Sequence, residues 1–122
     1  MANAVEILVV CLSGGPATSG LINRQVIEAL GPNGLLVNTS RGTNVDEAAL
    51  LTALESGALG AAALDVFLNE PNIDPRFLAL DNVLVQPHQS SGTVETRKTM
   101  GQLQRANPAA YFAGEPLVTP VN

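Results

Sequence analysis

The stretch Gly34-Leu35-Leu36-Val37-Asn38-Thr39-Ser40-Arg41-Gly42-Thr43-Asn44-Val45-Asp46-Glu47-Ala48-Ala49-Leu50-Leu51 carries a strand, a polar turn and a helix in immediate succession. Gly34 to Asn38 is a short apolar run bounded by turn residues, the pattern of a buried strand. Asn44, with Glu47 three residues later, predicts a helix N-terminus; Ala48, Leu51 and Leu54 then recur at helical spacing until Gly57. The alternation extends both ways. Val5 to Leu12 is a nearly continuous apolar strand closing on Ser13-Gly14-Gly15-Pro16, and Asn23 caps a short helix that presents Val26, Ile27 and Leu30 before Gly31-Pro32 stops it. Downstream, Leu59 to Leu64 and Asn82 to Val85 read as two further strands. A last helix starts near Thr93 and runs toward Gly114, with Pro108 expected to break or kink it.

Strands alternating with helices through short connections predict an α/β fold: a parallel sheet of about four strands with right-handed crossovers and flanking helices. Such sheets hold their ligands outside the carboxyl ends of the strands. Three polar residues follow three of these strands: Arg41, then Glu70 in Asp65-Val66-Phe67-Leu68-Asn69-Glu70-Pro71, then His88 in Gln86-Pro87-His88. They are expected to meet in one crevice. A cation, a carboxylate and the only histidine of the chain suit reduction of a small keto acid.

Composition narrows the field. At 122 residues the chain is expected to form a single domain over 1–122, with 93–122 as a C-terminal helix and tail. Hydrophobic residues make up 46% and charged residues 14%, with four aromatics (Phe67, Phe77, Tyr111, Phe112), which favours an aliphatic core under a covered parallel sheet. A net charge of −5 excludes a surface built for nucleic acid or anionic membrane, both of which need clustered Lys and Arg. Arg97, Lys98 and Arg105 on the last helix read as a solvated face. Cys11 is the sole cysteine, so a reducing, cytoplasmic setting is expected, with its thiol buried and inert at a strand end. No stretch approaches the ~20 apolar residues of a membrane span.

A full dinucleotide fold has about six strands and a G-x-G-x-x-G turn after the first. That turn is absent here, and so is the acidic residue that would end a second strand and grip a ribose. The chain is expected to begin where the second half of such a fold begins.

Residues 38–50, the run Ala63-Leu64-Asp65-Val66-Phe67 through Glu70-Pro71, and Asn82-Val83 through Pro87-His88 together resemble the D-isomer-specific 2-hydroxyacid dehydrogenases. The spacings also fit, with 29 positions from Arg41 to Glu70 and 18 from Glu70 to His88. Cys11-Leu12-Ser13-Gly14-Gly15-Pro16-Ala17-Thr18 is most similar to the hydroxypyruvate and glyoxylate reductase branch. The resemblance implies a partial Rossmann-like, doubly wound sheet lacking its first βαβ half, and a cofactor that is NAD or NADP. It implies that Arg41 binds the substrate carboxylate, that His88 donates or accepts the proton, and that Glu70 hydrogen-bonds the imidazole. A guanidinium presents paired donors to a carboxylate and stays charged, and an imidazole titrates near working pH. By the same resemblance Asp65 faces the nicotinamide carboxamide, Thr39 and Ser40 lie at the nicotinamide end with Arg41 and His88, and Leu12 and Thr18 line the adenosine side or the nearby pocket. Ser13 stands where many relatives carry proline, and Gln89-Ser90-Ser91-Gly92 departs from the usual apolar-glycine continuation.

Two functions follow as expectations. One is an oxidoreductase segment acting on a 2-keto or 2-hydroxy acid within a complete enzyme, with negligible turnover by these residues alone. The other is a non-catalytic nucleotide-binding or self-associating module that keeps the motifs. The unpaired edge of the Val5 strand predicts a homodimer or larger assembly.

Overall fold

The structure, a computed structural model, describes residues 2–121. They form two compact units that divide between His88 and Gln89, so the stretch read as helix and tail falls in the second.

The first unit is built on a four-stranded parallel sheet in sequential order: β1 (Ile7–Val10), β2 (Leu35–Asn38), β3 (Ala61–Leu64) and β4 (Val83–Val85). All four expected strands are present, trimmed at their ends. Ile7 pairs with Leu35 and Leu35 with Ala61, while Val10, Asn38 and Leu64 share the carboxyl edge. The connections carry α1 (Arg24–Leu30), α2 (Glu47–Ser56) and the short α3 (Arg76–Ala79). Strand order never reverses, so right-handed crossovers stack every connecting helix on one face. Only one of the two windings of a doubly wound sheet is therefore represented among the described strands.

Burial follows that geometry. Val10, Leu36, Ala62 and Leu64 point into a core completed by Ile27, Leu50, Leu51, Leu54, Leu59 and Phe77. On the alternate positions Ile7, Val9 and Leu84 are 57%, 54% and 58% exposed, an apolar sheet face left open. No helix among the described residues is long and apolar enough to cross a membrane.

Local chemistry explains the boundaries. Asn23 caps α1 as expected, its side chain accepting from the Val26 amide at 3.1 Å. The cap of α2 differs from expectation. Asp46 accepts from the Ala49 amide at 3.0 Å, whereas Asn44 lies in a 3-10 turn, Gly42–Asn44, one residue before an extended Val45. The cause is the parallel bridge between Ile22 and Val45, which holds this stretch extended and delays the helix. Gly57 closes α2 at φ 74°, in the left-handed region that favours glycine.

The second unit is dominated by α4 (Val94–Ala113), capped by the Thr93 side chain on the Thr96 amide. Helix geometry continues through Pro108, so the expected break does not occur. Proline removes one donor there, but Asn107 bonds back to the Leu103 carbonyl at 3.3 Å and holds Thr119 of the tail at 2.7 Å. Arg97, Lys98 and Arg105 are exposed, as expected of a solvated face.

Candidate active site

The carboxyl ends of the strands carry the expected residues. Glu70 and His88, 18 positions apart, meet: Nδ1 of His88 lies 2.8 Å from Oε2 of Glu70. A carboxylate only accepts, so Nδ1 carries the proton of this contact and Nε2 remains to exchange one with a substrate. The other carboxylate oxygen, Oε1, accepts from the Phe67 amide at 2.7 Å, fixing the side chain against its own loop. Partial burial works to raise the Glu70 carboxyl. Hydrogen bonds from His88 and the Phe67 amide, together with attraction to the imidazole, nevertheless hold it below the usual carboxylate range. His88 adopts φ 52°, alone among described non-glycine residues in the left-handed region. That conformation is uncommon and costly, and it clusters at functional sites. The pair lines a cavity of about 280 Å³ whose other walls include Phe67, Ile73, Val85 and Pro87.

Arg41 does not line that cavity. It borders a second, of about 750 Å³, with Leu12, Gly14, Gly15, Thr39 and Ser40, and the two cavities share no lining residue. The His–Glu pair thus lies past β3 and β4, and Arg41 past β2, all after the carboxyl ends of the sheet. Arg41 is exposed and directs one N–H at the Ser40 carbonyl, 2.6 Å away.

Beneath Arg41 runs a buried polar chain. Ser40 donates its amide (3.1 Å) and its hydroxyl (2.8 Å) to Oδ1 of Asn38, and Asn38 Nδ2 donates to the Arg41 carbonyl at 3.1 Å. Asn44 Nδ2 donates to Ser40 Oγ at 3.0 Å and to the Leu12 carbonyl at 3.3 Å, tying this loop to the one after β1. Asn44 Oδ1 is buried without a hydrogen-bond partner among the described residues. Asn38 was read only as the end of a strand, and its burial at 1% exposure comes from the structure. Asn44 was read as a helix cap, and its role as a bridge depends on a turn that periodicity cannot see.

The remaining expected contacts divide. Thr39 and Leu12 line the arginine cavity. Ser40 lines it too, but its hydroxyl is engaged internally. Thr18 donates to the Ser13 carbonyl at 2.8 Å and so braces the loop from within. Asp65 is buried past β3, its amide bonded to the Asn38 carbonyl at 3.0 Å, and it is not among the residues lining either cavity. Cys11 is exposed, contrary to expectation. The strand ends at Val10, its last inward residue, so Cys11 already belongs to the loop and lines the arginine cavity. No cluster of His, Cys, Asp and Glu suited to a metal ion occurs among the described residues.

A parallel α/β sheet bearing an arginine past one strand and an imidazole–carboxylate pair past the next two defines a dehydrogenase-like nucleotide domain. The chain belongs to the D-isomer specific 2-hydroxyacid dehydrogenase family, whose NAD binding domain matches residues 1–90. It is 51% identical over 121 residues to the 2-ketogluconate reductase of Gluconobacter oxydans, covering 99% of this chain and 39% of that protein. A 2-hydroxyacid dehydrogenase structure from Ketogulonicigenium vulgare superposes with a TM-score of 0.92 at 60% identity, over 99% of this chain and 38% of that one. An NADPH-dependent glyoxylate/hydroxypyruvate reductase from Sinorhizobium meliloti, in complex with NADP and malonate, gives 0.94 at 45% identity, over 98% and 38%. The chain therefore spans about two fifths of the length of these relatives.

The arginine cavity, small-sided at Gly14 and Gly15 and polar at Ser13, Thr39 and Arg41, has a lining suited to a nucleotide. Gly14 forms its wall with no side chain, and a Cβ there would stand 2.8 Å from Cγ of Arg41. Thr39 and Arg41 are among its polar lining residues.

Proposed function

We propose that this chain is the catalytic second half of a nicotinamide-nucleotide-binding domain, and that it works within an enzyme reducing 2-keto acids or oxidising 2-hydroxy acids. The observation that carries it is the 2.8 Å contact between Glu70 and His88, two residues far apart in sequence and joined at the strand ends. NAD or NADP, held in part by Leu12, Thr39 and Ser40 with Thr18 and Asp65 shaping the loops behind them, supplies or accepts the hydride when bound. Arg41 binds the carboxylate of the acid. His88 delivers the proton from Nε2 to the carbonyl oxygen in reduction and takes it back in oxidation. Glu70 orients the ring through Nδ1 and stabilises its charged form. Family membership and the Cys11–Thr18 loop favour a hydroxypyruvate- or glyoxylate-type substrate, and the sole cysteine suits a cytoplasmic setting.

The test is a chimera in which residues 2–121 replace the corresponding segment of the Gluconobacter oxydans reductase, assayed with NADH and NADPH against 2-ketogluconate, hydroxypyruvate and glyoxylate. Turnover is expected, and its loss by at least about 100-fold on His88→Gln, the low end for a general acid. A chimera that turns over equally well without the imidazole refutes the role. The isolated chain is expected to show negligible turnover.

One observation favours a second, non-catalytic behaviour. The open apolar face at Ile7, Val9 and Leu84, beside the unpaired edge of β1, suits self-association into a homodimer or larger assembly. Sedimentation across micromolar concentrations reads it directly.

A further inference from the structure

The loop after β3 presents two consecutive amides, and each is taken by a different carboxylate. Phe67 donates to Oε1 of Glu70 at 2.7 Å; Leu68 donates to Oε1 of Glu47, in the first turn of α2, at 2.6 Å. Glu47 has no capping duty, because Asp46 holds the N-terminus of α2. We infer that Glu47 is a positioning residue for the Glu70–His88 pair, clamping the loop that carries Glu70 onto the helix that follows Arg41. The inference rests on the catalytic reading of that pair.

Three features support it. Leu68, Asn69 and Glu70 are exposed, so burial alone does little to fix this stretch. Gly42 sits against the same two residues: a Cβ there would overlap the Phe67 carbonyl and the Leu68 amide. The segment 41–47 therefore grips residues 67–68 at two points, through backbone contact at Gly42 and a charged hydrogen bond at Glu47. Glu47 also holds its place against an opposing field. Its carboxyl is raised by burial, and by repulsion from Asp74 and Glu70, while the Leu68 amide works the other way. A surface glutamate serving only the helix would avoid that cost by turning to solvent.

The experiment uses the whole 122-residue chain, ¹⁵N-labelled, in four forms: parent, Glu47→Ala, Glu47→Gln and Glu70→Ala. Two readouts are taken, amide hydrogen exchange and the hydrogen-bonded Nδ1 proton of His88, which is unambiguous because the chain has one histidine. In Glu47→Ala, exchange at both Leu68 and Phe67 is expected to rise by about tenfold or more, with Ala62 in β3 unchanged and the Nδ1 proton signal weakened. Glu47→Gln keeps an acceptor oxygen and is expected to restore both. Faster exchange at Leu68 alone, with Phe67 and the Nδ1 proton as in the parent, overturns the inference and leaves the catalytic pair standing. An Nδ1 signal that survives Glu70→Ala, which leaves no acceptor, overturns the pair itself, and the inference with it. Should Glu47→Ala fail to fold, Glu47→Asp takes its place. It keeps the charge but is one methylene too short to reach Leu68, and the same two outcomes decide.

Discussion

Gly42 packs face to face with the carbonyl of Phe67, leaving no room for even one methyl group between the arginine loop and the glutamate loop. The glycine is required for closeness, since its φ lies outside the positive region. Gly42→Ala forces the two backbones apart. Overpacking costs typically ~1–3 kcal/mol, and backbone yields less readily than side chains, so a loss near the upper end is expected. A lower urea midpoint at unchanged slope would show it, and a midpoint equal to the parent's would mean the loops are free to separate.

Asn38 and Asn44 occupy one buried polar chain, yet their removal should differ. Asn38→Ala leaves the Ser40 amide and the Ser40 hydroxyl without their acceptor, at ~1–3 kcal/mol for each group that water cannot reach, while the Arg41 carbonyl keeps the Asn44 amide at 3.2 Å. Asn44→Ala gives up bonds to Ser40 and Leu12 but also removes the unpartnered Oδ1, which offsets part of the loss. Asn38→Ala is expected to be the more destabilising of the two in chemical denaturation. The reverse order would show that the bridge to the β1 loop matters more than the turn itself.

These two cases mark where sequence reading worked and where it stopped. Strand and helix order was legible because apolar runs of four or five residues alternate with period-3.6 segments between Gly, Pro and Asn punctuation. Glu70 and His88 were legible because motif and spacing named them. Their hydrogen bond was implied by the resemblance and is present at 2.8 Å, although a separation of 18 positions by itself fixes no distance. Cys11 was misjudged by a single position: strand alternation says which residues point inward, but not at which residue a strand ends. Glu47 was read as half of a capping box because helix-start patterns describe local bonds, whereas its carboxylate reaches a loop 21 residues away.

Exposure of Cys11 has a direct chemical readout. Its thiol lies at the arginine cavity, 3.9 Å from the Thr39 hydroxyl, and should react with a disulfide reagent in the folded chain without unfolding. Labelling in buffer is expected within about tenfold of the rate in denaturant; a rate suppressed by 1,000-fold or more, about 4 kcal/mol of protection, would return Cys11 to the core.

The open sheet face makes a separable prediction. Val9 is half-exposed on the edge strand, in register with Val37, and its side chain is not part of the core. Val9→Lys places a charge on that face and blunts the β1 edge. Self-association measured by sedimentation is expected to fall, with folding stability changed by less than ~1 kcal/mol because no packed contact is lost. If association persists unchanged, another surface mediates it.

The two glutamates that hold adjacent amides should respond to pH in opposite directions. The Glu70 carboxyl is lowered in the folded chain, so its contribution to stability is present above its ordinary value of 4.5 and is lost as pH falls through the folded value. Glu70→Gln removes that dependence, and the parent should gain on the variant as pH rises from about 3 to 6. The effect should be modest, since the side chain is 34% exposed and water screens the pair. Glu47 is raised, chiefly by burial, so its contribution is complete below 4.5 and is lost as pH climbs through the folded value. Glu47→Gln should therefore gain on the parent over a window beginning near pH 4.5 and extending upward. Unfolding free energies of the three proteins, measured by urea titration across that range, provide the comparison. Parallel curves for the two variants would mean that the carboxylates share one environment, whereas crossing curves follow from one being paired with an imidazole and the other pressed against a loop.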